Sequence, residues 1–242
     1  GSSQRSLDRQ NRVLRSMREF GVTGVIIAAV EDTMPQVVET LDAAGIAALS
    51  YSRMVPEGMV DYVGPDDVAG GRLATEHLLA HGVERLAYVG ADRPSSASEL
   101  RRQGALDALR AAGRPDALIE AATALSAEGG FQAGRELLAR DEVPDGILCM
   151  SDIVAFGVHR ALADAGVERV VRIIGFDDVE LAAYWNPRLT TVSSHPAQMG
   201  RAAATALVSR LADREGPARA HFLDPELVIR ESCGCAPTVT ER

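Results

Sequence analysis

The chain has 242 residues, 46% of them hydrophobic, which is enough to bury one large core or the cores of two lobes. Its 34 acidic residues outnumber the 25 basic ones, and the formal net charge of −9 argues against nucleic-acid binding by the chain's own field. No apolar run approaches the roughly 18 residues of a membrane span, and the start lacks the apolar core of a signal peptide.

In chain order, helix-like and strand-like segments alternate. A predicted helix over 6–20 ends at Gly21. Predicted strands then lie at 22–30, 46–51, 60–63, 85–90, 117–119, 146–150, 170–176, 189–193 and near 227–231. Predicted helices lie between them at 35–44, 67–81, 98–112, 127–140, 152–165 and 196–213. This alternation with short connections predicts an α/β fold with parallel sheets and right-handed crossovers.

The three cysteines are typical of a reducing compartment. Cys149 lies in an apolar strand-like run, and Cys233 and Cys235 are separated by a single residue, which is no disulfide framework. We therefore expect a cytoplasmic protein. The pair near the end could form half of a metal site, but no second pair stands at suitable spacing, so free thiols are favoured.

Signatures of enzymes and metal sites are weak. The sequence contains no G-x-S-x-G, no G-x-G-x-x-G after a strand, no Walker loop and no H-E-x-x-H, so no catalytic residues are predicted. His77 and His81 stand four apart on a predicted helix and could share a metal ion. No acidic partner is placed to complete that site, so solvent-facing or capping roles are favoured, and we expect neither a metal nor a cofactor.

Polar side chains follow several predicted strands, where open α/β sheets bind ligands. The run 173–176 ends at Asp177 and Asp178, and the run 146–150 ends at Ser151 and Asp152. Asp178 is expected to cap a short helix over 179–183, whereas Asp152 is equally consistent with a ligand contact and a helix cap.

Arg101 follows a loop rich in hydroxyl groups, residues 91–98, that comes after the strand at 85–90. Such a loop with a guanidinium can hold a sugar or an anion. The residues alone favour a capped helix with a solvated basic face. Arg102 points about 100° away from Arg101 around the helix.

A resemblance adds to these observations. GFDDVELA at 175–182, PRLTTV at 187–192, Met199-Gly200 and PELVIRESCG at 225–234 together resemble the effector-binding domain of LacI/GalR-type bacterial transcription repressors. The resemblance extends back to Val22. It implies two doubly wound parallel-sheet lobes of the periplasmic-binding-protein-like type I fold, with residues 1–64 and 193–219 in the N-terminal lobe and 65–192 and 220–242 in the C-terminal lobe.

The resemblance also has gaps. The first strand–helix unit of such a domain, and the helix-turn-helix that reads DNA ahead of it, have no counterpart in this sequence. We expect either a portion of a longer chain or a first lobe that is compensated in another way.

Site residues follow from the same resemblance. Arg101 stands three residues before Gly104, where the family places an effector-binding arginine, and Asp177 matches an acid that accepts hydrogen bonds from the ligand. Replacing either by alanine is expected to abolish binding and leave the fold intact. Further effector contacts are implied at Ser151, Leu148, Leu125, Ser52 and Arg53.

The implied function is that of a sensing domain without catalytic activity. A small effector, expected to be a sugar or sugar derivative, would change the affinity for operator DNA, which the absent headpiece would contact. A homodimer is expected to use Leu181, Tyr184 and Trp185, although Trp185 could equally pack inside its own lobe. The alternative is an exported sugar-binding protein of a transport system, which shares the fold; Cys149 and the RESCG tail argue against it.

Overall fold

The computed structural model of the chain describes residues 7–28, 34–54, 58–93, 95–166 and 171–235. In chain order its elements are α1 (Leu7–Glu19), β1 (Gly24–Ile27), α2 (Met34–Asp42), β2 (Ala47–Tyr51), β3 (Asp61–Pro65), α3 (Asp67–Ala80), β4 (Leu86–Ala91), α4 (Ser96–Ala111), β5 (Leu118–Thr123), α5 (Ala127–Leu138), β6 (Gly146–Cys149), α6 (Asp152–Asp164), β7 (Arg172–Phe176), a 3₁₀ helix (Glu180–Ala183), β8 (Thr190–Ser193), α7 (Pro196–Ala212), β9 (Ala220–Leu223) and β10 (Glu226–Val228). None of these helices is both long and apolar enough to cross a membrane.

The chain divides into two compact units, each with its own sheet. The first unit comprises residues 1–65, 94–97 and 195–223, and the second comprises 66–93, 98–194 and 224–242. The first sheet has the order β1-β2-β3-β9 and its strands pair in parallel. The second has the order β10-β8-β7-β6-β4-β5 and is parallel except for β10. The predicted α/β class with parallel sheets is confirmed.

Continuous apolar runs produce the central strands of the second sheet. Such runs are typical of parallel strands that are covered on both faces. The side chains of β4, β6 and β7 are almost entirely buried, with Leu86, Ile147 and Ile173 at 1% exposure or less. These strands therefore form a rigid base for any residue that follows them.

Local capping sets where the helices begin and end. The Asp66 carboxylate accepts a hydrogen bond from the Ala69 backbone N–H (2.8 Å) at the start of α3, and the Ser126 hydroxyl accepts one from Gly129 (3.0 Å) at the start of α5. After α3, Gly82 has φ +79°, a backbone conformation that favours glycine.

In the first unit, a buried ion pair joins α7 to β3. The guanidinium of Arg210 lies 2.6 and 2.9 Å from the two carboxylate oxygens of Asp61. The same carboxylate accepts the backbone N–H of Arg219 (2.8 Å), directly before β9. Asp61 therefore fixes the beginning of a strand that the sequence pattern did not predict.

β9 marks the main difference from the expected organisation. Three of its four side chains are exposed, so it lacks the apolar run or alternation that signals a strand. It pairs in parallel with β3, and the chain therefore returns to the second unit after Leu223 and not after residue 219.

Candidate functional site

A topological switch point lies in the second sheet between β4 and β6. The chain leaves β4 toward β5 on one side, and β6 lies on the other side. Ligands of open α/β sheets bind at the carboxyl ends of strands at such a point. Ala91, Met150 and Asp177 stand at the ends of β4, β6 and β7 there.

Arg101 is the central side chain of this edge. It is only 7% exposed, and its Nε donates a hydrogen bond to Oδ1 of Asp67 at 2.7 Å. Nη1 donates to the carbonyl oxygen of Met150 at the end of β6 (2.5 Å), and Nη2 lies 3.8 Å from Oδ1 of Asp177. Its guanidinium carbon lies 3.5 Å from the centre of the Phe176 ring, a cation–π contact. Arg101 therefore ties together α3, α4 and the ends of β6 and β7.

This arrangement replaces the solvated basic face that the residues alone favoured. It also changes the expectation that alanine at position 101 leaves the fold intact, since that substitution would remove the only counter-ion the described contacts give to Asp67, which is 3% exposed.

Two glycines allow α3 and α4 to cross closely enough for the Arg101–Asp67 contact. A methyl group at Gly71 would collide with the backbone carbonyl of Arg101, and one at Gly104 would collide with the carbonyl of Val68. The helix backbones therefore touch at their crossing, which only glycine permits.

The start of α4 is fastened to β4. The Ser98 hydroxyl accepts the backbone N–H of Ala91 (3.0 Å), and the buried Tyr88 hydroxyl donates to the Ser98 carbonyl (2.7 Å). Burial raises the pKa of Tyr88 to about 12, so the hydroxyl stays a donor at neutral pH. These bonds fix the turn of α4 that carries Arg101.

Burial and the ion pair shift the pKa values of these charged groups in opposite directions. Burial raises the pKa of the Asp67 carboxyl, and Arg101 partly offsets that rise. The pKa of the half-exposed Asp177 carboxyl shifts in the same direction, because its partial burial outweighs the attraction of Arg101. For Arg101 itself, burial lowers the pKa, but Asp67 and Asp177 more than compensate and hold it above its usual range.

Asp177 is the more exposed of the two acidic residues that face Arg101. Its side chain is 46% exposed, and its contact with Arg101 is longer than a hydrogen bond. The backbone has φ +108° at Asp177 and +51° at Asp178, a conformation that non-glycine residues rarely adopt and that clusters at functional sites.

Asp178 does not cap the following short helix, so that expectation was wrong. Its Oδ1 accepts a hydrogen bond from Nη2 of Arg230 (2.7 Å), and the cap position is Val179, without a side-chain cap bond. Instead, Oδ2 of Asp152 accepts the backbone N–H of Val179 (2.9 Å). The acid of the neighbouring strand end therefore anchors this segment.

Asp152 is fully buried, and its Oδ1 accepts a hydrogen bond from the Thr191 hydroxyl at 2.6 Å. Burial raises the pKa of Asp152 to about 7, although the bonds from Thr191 and Val179 act in the opposite direction. The sequence left a ligand contact and a helix cap open for Asp152; the structure instead shows an anchor between strand ends. Ser151 occupies the cap position of α6 but makes no side-chain cap bond.

The other expected contacts are placed unevenly. The Ser151 hydroxyl is buried and finds no hydrogen-bond partner among the described residues. Leu125 is 39% exposed after β5. Leu148 is 1% exposed inside β6 and packs in the core, so the structure does not bring it to the surface of this edge. Ser52 and Arg53 follow β2 in the first unit.

One contact of the site, Asp67, was not predicted from the sequence. It lies next to the capping acid Asp66, and a second acid in the first turn of a helix is usually explained by its favourable interaction with the helix dipole. Two glycines could have indicated the contact: Gly71 lies one helical turn after Asp67, and Gly104 lies one turn after Arg101.

The segment expected at a dimer interface divides into buried and exposed side chains. Trp185 is partly buried, and its ring lies 4.5 Å from that of Phe156, centre to centre. Leu181 is 49% exposed and Tyr184 is 72% exposed.

The fold and this edge define a class: an α/β protein with an open, mostly parallel sheet that carries an arginine, a carboxylate and a hydroxyl at the strand ends of a topological switch point. Residues 75–233 match the family described as "Periplasmic binding protein-like domain". The regulator CelR of Thermobifida fusca is 33% identical over 218 residues, which are 87% of this chain and 63% of CelR. The chain thus spans less than two thirds of that relative.

Solved structures give a consistent result. A LacI family transcriptional regulator from Enterococcus faecium with bound ribose superposes with a TM-score of 0.83 at 31% identity, covering 94% of this chain and 84% of that one. The CelR–cellobiose complex gives 0.82 at 31% identity, covering 94% and 71%. The chain therefore belongs to the LacI-type branch of the periplasmic-binding-protein-like family, as its motifs predicted. These relatives are transcription regulators and do not favour the transport alternative.

Proposed function

We propose that this chain senses a sugar or sugar derivative for a LacI-type transcription regulator. The observation that carries the proposal is the switch-point edge, where Arg101 is held rigidly while Asp177 keeps an exposed carboxylate. A carboxylate accepts hydrogen bonds from sugar hydroxyls. Ser151, whose buried hydroxyl makes no hydrogen bond to the described residues, is proposed as a further contact on the same edge. Two related regulators bind ribose and cellobiose.

Binding, and not catalysis, is the role that this chemistry supports. A serine nucleophile needs an adjacent base to activate it. The Ser151 hydroxyl has no such neighbour among the described residues, and Asp152 is occupied by Thr191 and Val179. The ligand would instead favour one conformation of the regulator and change its DNA affinity by a coupling free energy of about 1–3 kcal/mol.

The remaining effector contact that the proposal places on this edge is Leu125, with Leu148 supporting the strand beneath. Ser52 and Arg53, in the first unit, stay predictions from the family resemblance. The regulator would act in the cytoplasm as a homodimer, because transcription regulators of this kind read near-palindromic operators with two-fold symmetry. With a net charge of −9, this chain would leave operator contact to a separate headpiece.

Calorimetric titration with ribose, cellobiose and a panel of other sugars and nucleosides tests the proposal. A ligand at 100 times its Kd should also stabilise the protein by about 2.7 kcal/mol in a thermal-shift assay. For the ligand found, Asp177→Asn should weaken binding by roughly 10- to 150-fold, the worth of a hydrogen bond to a charged group.

Asp107→Asn is the matched control, because that carboxylate lies on the surface of α4 and pairs with Arg110. It should leave the affinity unchanged. Equal affinities for the parent and Asp177→Asn would contradict the assigned site, and chemical turnover of the bound sugar would contradict the proposed function.

A further inference from the structure

Three side chains with metal-binding atoms meet in the second unit, away from the contacts of the candidate site. His77 lies in the last turn of α3, His81 is its C-terminal cap, and Cys235 follows β10. The Cys235 sulfur lies 3.1 Å from Nε2 of His81 and 3.6 Å from Nε2 of His77. All three potential ligand atoms lie within 4.8 Å of one another.

The helix supplies the first half of this cluster. Residues four apart lie one above the other on one face of a helix, and the two imidazole rings are stacked with centroids 4.3 Å apart. The chain segment after β10 then brings the sulfur to the same face. The sequence did not predict this cluster, because more than 150 residues separate Cys235 from the histidines. It favoured a free thiol at Cys235 and capping or solvent-facing roles for the histidines.

A hydrogen bond determines which ring nitrogen of His81 carries the proton. Nδ1 of His81 lies 2.8 Å from the backbone carbonyl of His77. A carbonyl oxygen only accepts, so Nδ1 carries the proton and donates, and Nε2 keeps its lone pair. Metal-binding histidines have this same outer bond from the second ring nitrogen to a carbonyl or carboxylate.

The two sulfur–nitrogen distances are close to those around a tetrahedral ion. With zinc–sulfur and zinc–nitrogen bonds of their usual lengths, ligand atoms around Zn²⁺ lie roughly 3.3–3.6 Å apart. The two sulfur–nitrogen distances, 3.1 and 3.6 Å, bracket that range closely. Thiolate with two imidazoles is a donor set that suits zinc and disfavours magnesium or calcium.

We propose that His77, His81 and Cys235 bind Zn²⁺ with three protein ligands and one open position. On binding, the Cys235 thiol loses its proton to solvent and its sulfur forms the bond to zinc. Cys233 does not supply the fourth ligand, since its sulfur is not among the described ligand atoms that lie within 4.8 Å of one another. All three ligand residues are partly exposed, so water or an added thiol can reach the open position.

The site would fasten the segment after β10 to the end of α3. The other end of α3 carries Asp67, the partner of Arg101. Zinc that binds only the folded chain stabilises it by mass action. A metal-free cluster of hydrogen bonds between Cys235 and the histidines uses the same contacts, and the experiment must separate the two.

Cobalt titration of the metal-free, untagged chain makes that separation. One equivalent of Co²⁺ should give the intense visible absorption of a tetrahedral ion and a sulfur-to-metal charge-transfer band, both removed by added Zn²⁺. Cys235→Ser should abolish the charge-transfer band. Zinc affinity can be measured by competition with a chelating dye. Loss of a residue that only hydrogen-bonds to a metal ligand costs roughly 10- to 100-fold in affinity. Cys235→Ser removes a ligand and should cost more than that. His81→Gln should weaken zinc affinity to a similar extent.

His221→Gln is the control, because His221 is an exposed histidine on β9 of the first unit. It should leave both spectrum and affinity unchanged. A weak octahedral cobalt spectrum, or equal affinity in the parent and Cys235→Ser, would overturn the site and leave the hydrogen-bonded cluster. Circular dichroism checks the fold of each variant. If His81→Gln unfolds, Cys235→Ser still tests the site, because Cys235 lies beyond the last strand.

Discussion

Arg101 and Asp67 form an ion pair of 2.7 Å between two helices, and both side chains are less than 10% exposed. The attraction between buried charges offsets the cost of removing them from water only while both partners are present. The pair therefore joins the crossing of α3 and α4 to the proposed effector site, since the same guanidinium faces Asp177.

The first prediction concerns this pair. Asp67→Ala should lower the free energy of unfolding by roughly 3–5 kcal/mol, because it leaves the Arg101 charge buried without its closest partner. Urea unfolding followed by circular dichroism measures the change. Glu76→Ala removes the exposed Arg72–Glu76 pair from the same helix and should cost no more than about 1 kcal/mol. Equal losses for the two variants would show that the buried pair has no special role.

The second prediction concerns the helix crossing. Gly104→Ala should destabilise the chain by roughly 1–3 kcal/mol, because the added methyl collides with backbone atoms of α3 and no side chain can move aside. Gly200→Ala is the matched control. Gly200 lies in α7 with open space around it, so the same change should stabilise by roughly 0.5–1 kcal/mol. A destabilising effect at position 200, or none at 104, would refute the packing argument.

The third prediction is a pH dependence centred on Asp152. Its pKa in the folded chain is about 7, above that of an unfolded aspartate, so the folded state holds the proton more tightly. The resulting stability is fully present below about pH 4 and is lost as the pH rises through about 7. Relative to Asp152→Asn, the parent should therefore lose stability between pH 5 and pH 8, by a few kcal/mol at most.

Unfolding free energies of the parent and Asp152→Asn over that pH range provide the measurement. The difference between the two curves removes the contributions of other groups, including His159, whose pKa burial lowers to about 4. Parallel curves would mean that Asp152 stays ionised in the folded chain.

Sequence patterns predicted the elements that contain apolar runs. The buried strands that end at Asp177 and Ser151 were identified because such runs break at polar residues, and that placed both residues at one edge of a sheet. β9 was missed since its exposed side chains carry no such pattern.

The partners of the site side chains could not be predicted, because they depend on how distant segments pack and not on residue spacing along the chain. Asp67 meets Arg101 across 34 residues because two glycines let the helices touch. Cys235 meets His81 across 154 residues because β10 adds to the sheet edge and directs the chain back over α3. Family motifs pointed to Arg101 and Asp177 individually, but the contacts of each residue follow only from the folded structure.

The last prediction concerns self-association through the 3₁₀ segment. Tyr184 and Leu181 are large apolar side chains left exposed there, and aromatic residues are enriched at the centres of protein interfaces. Tyr184→Ser should therefore weaken the proposed homodimer at least tenfold, as measured by sedimentation equilibrium, and should hardly change the free energy of unfolding of the monomer. Trp185→Ala should combine both effects: it removes the ring contact with Phe156 and should cost about 2 kcal/mol of monomer stability, less than a fully buried tryptophan. A parent chain that is monomeric at micromolar concentration, or a Tyr184→Ser dimer as tight as the parent's, would exclude this segment as the interface.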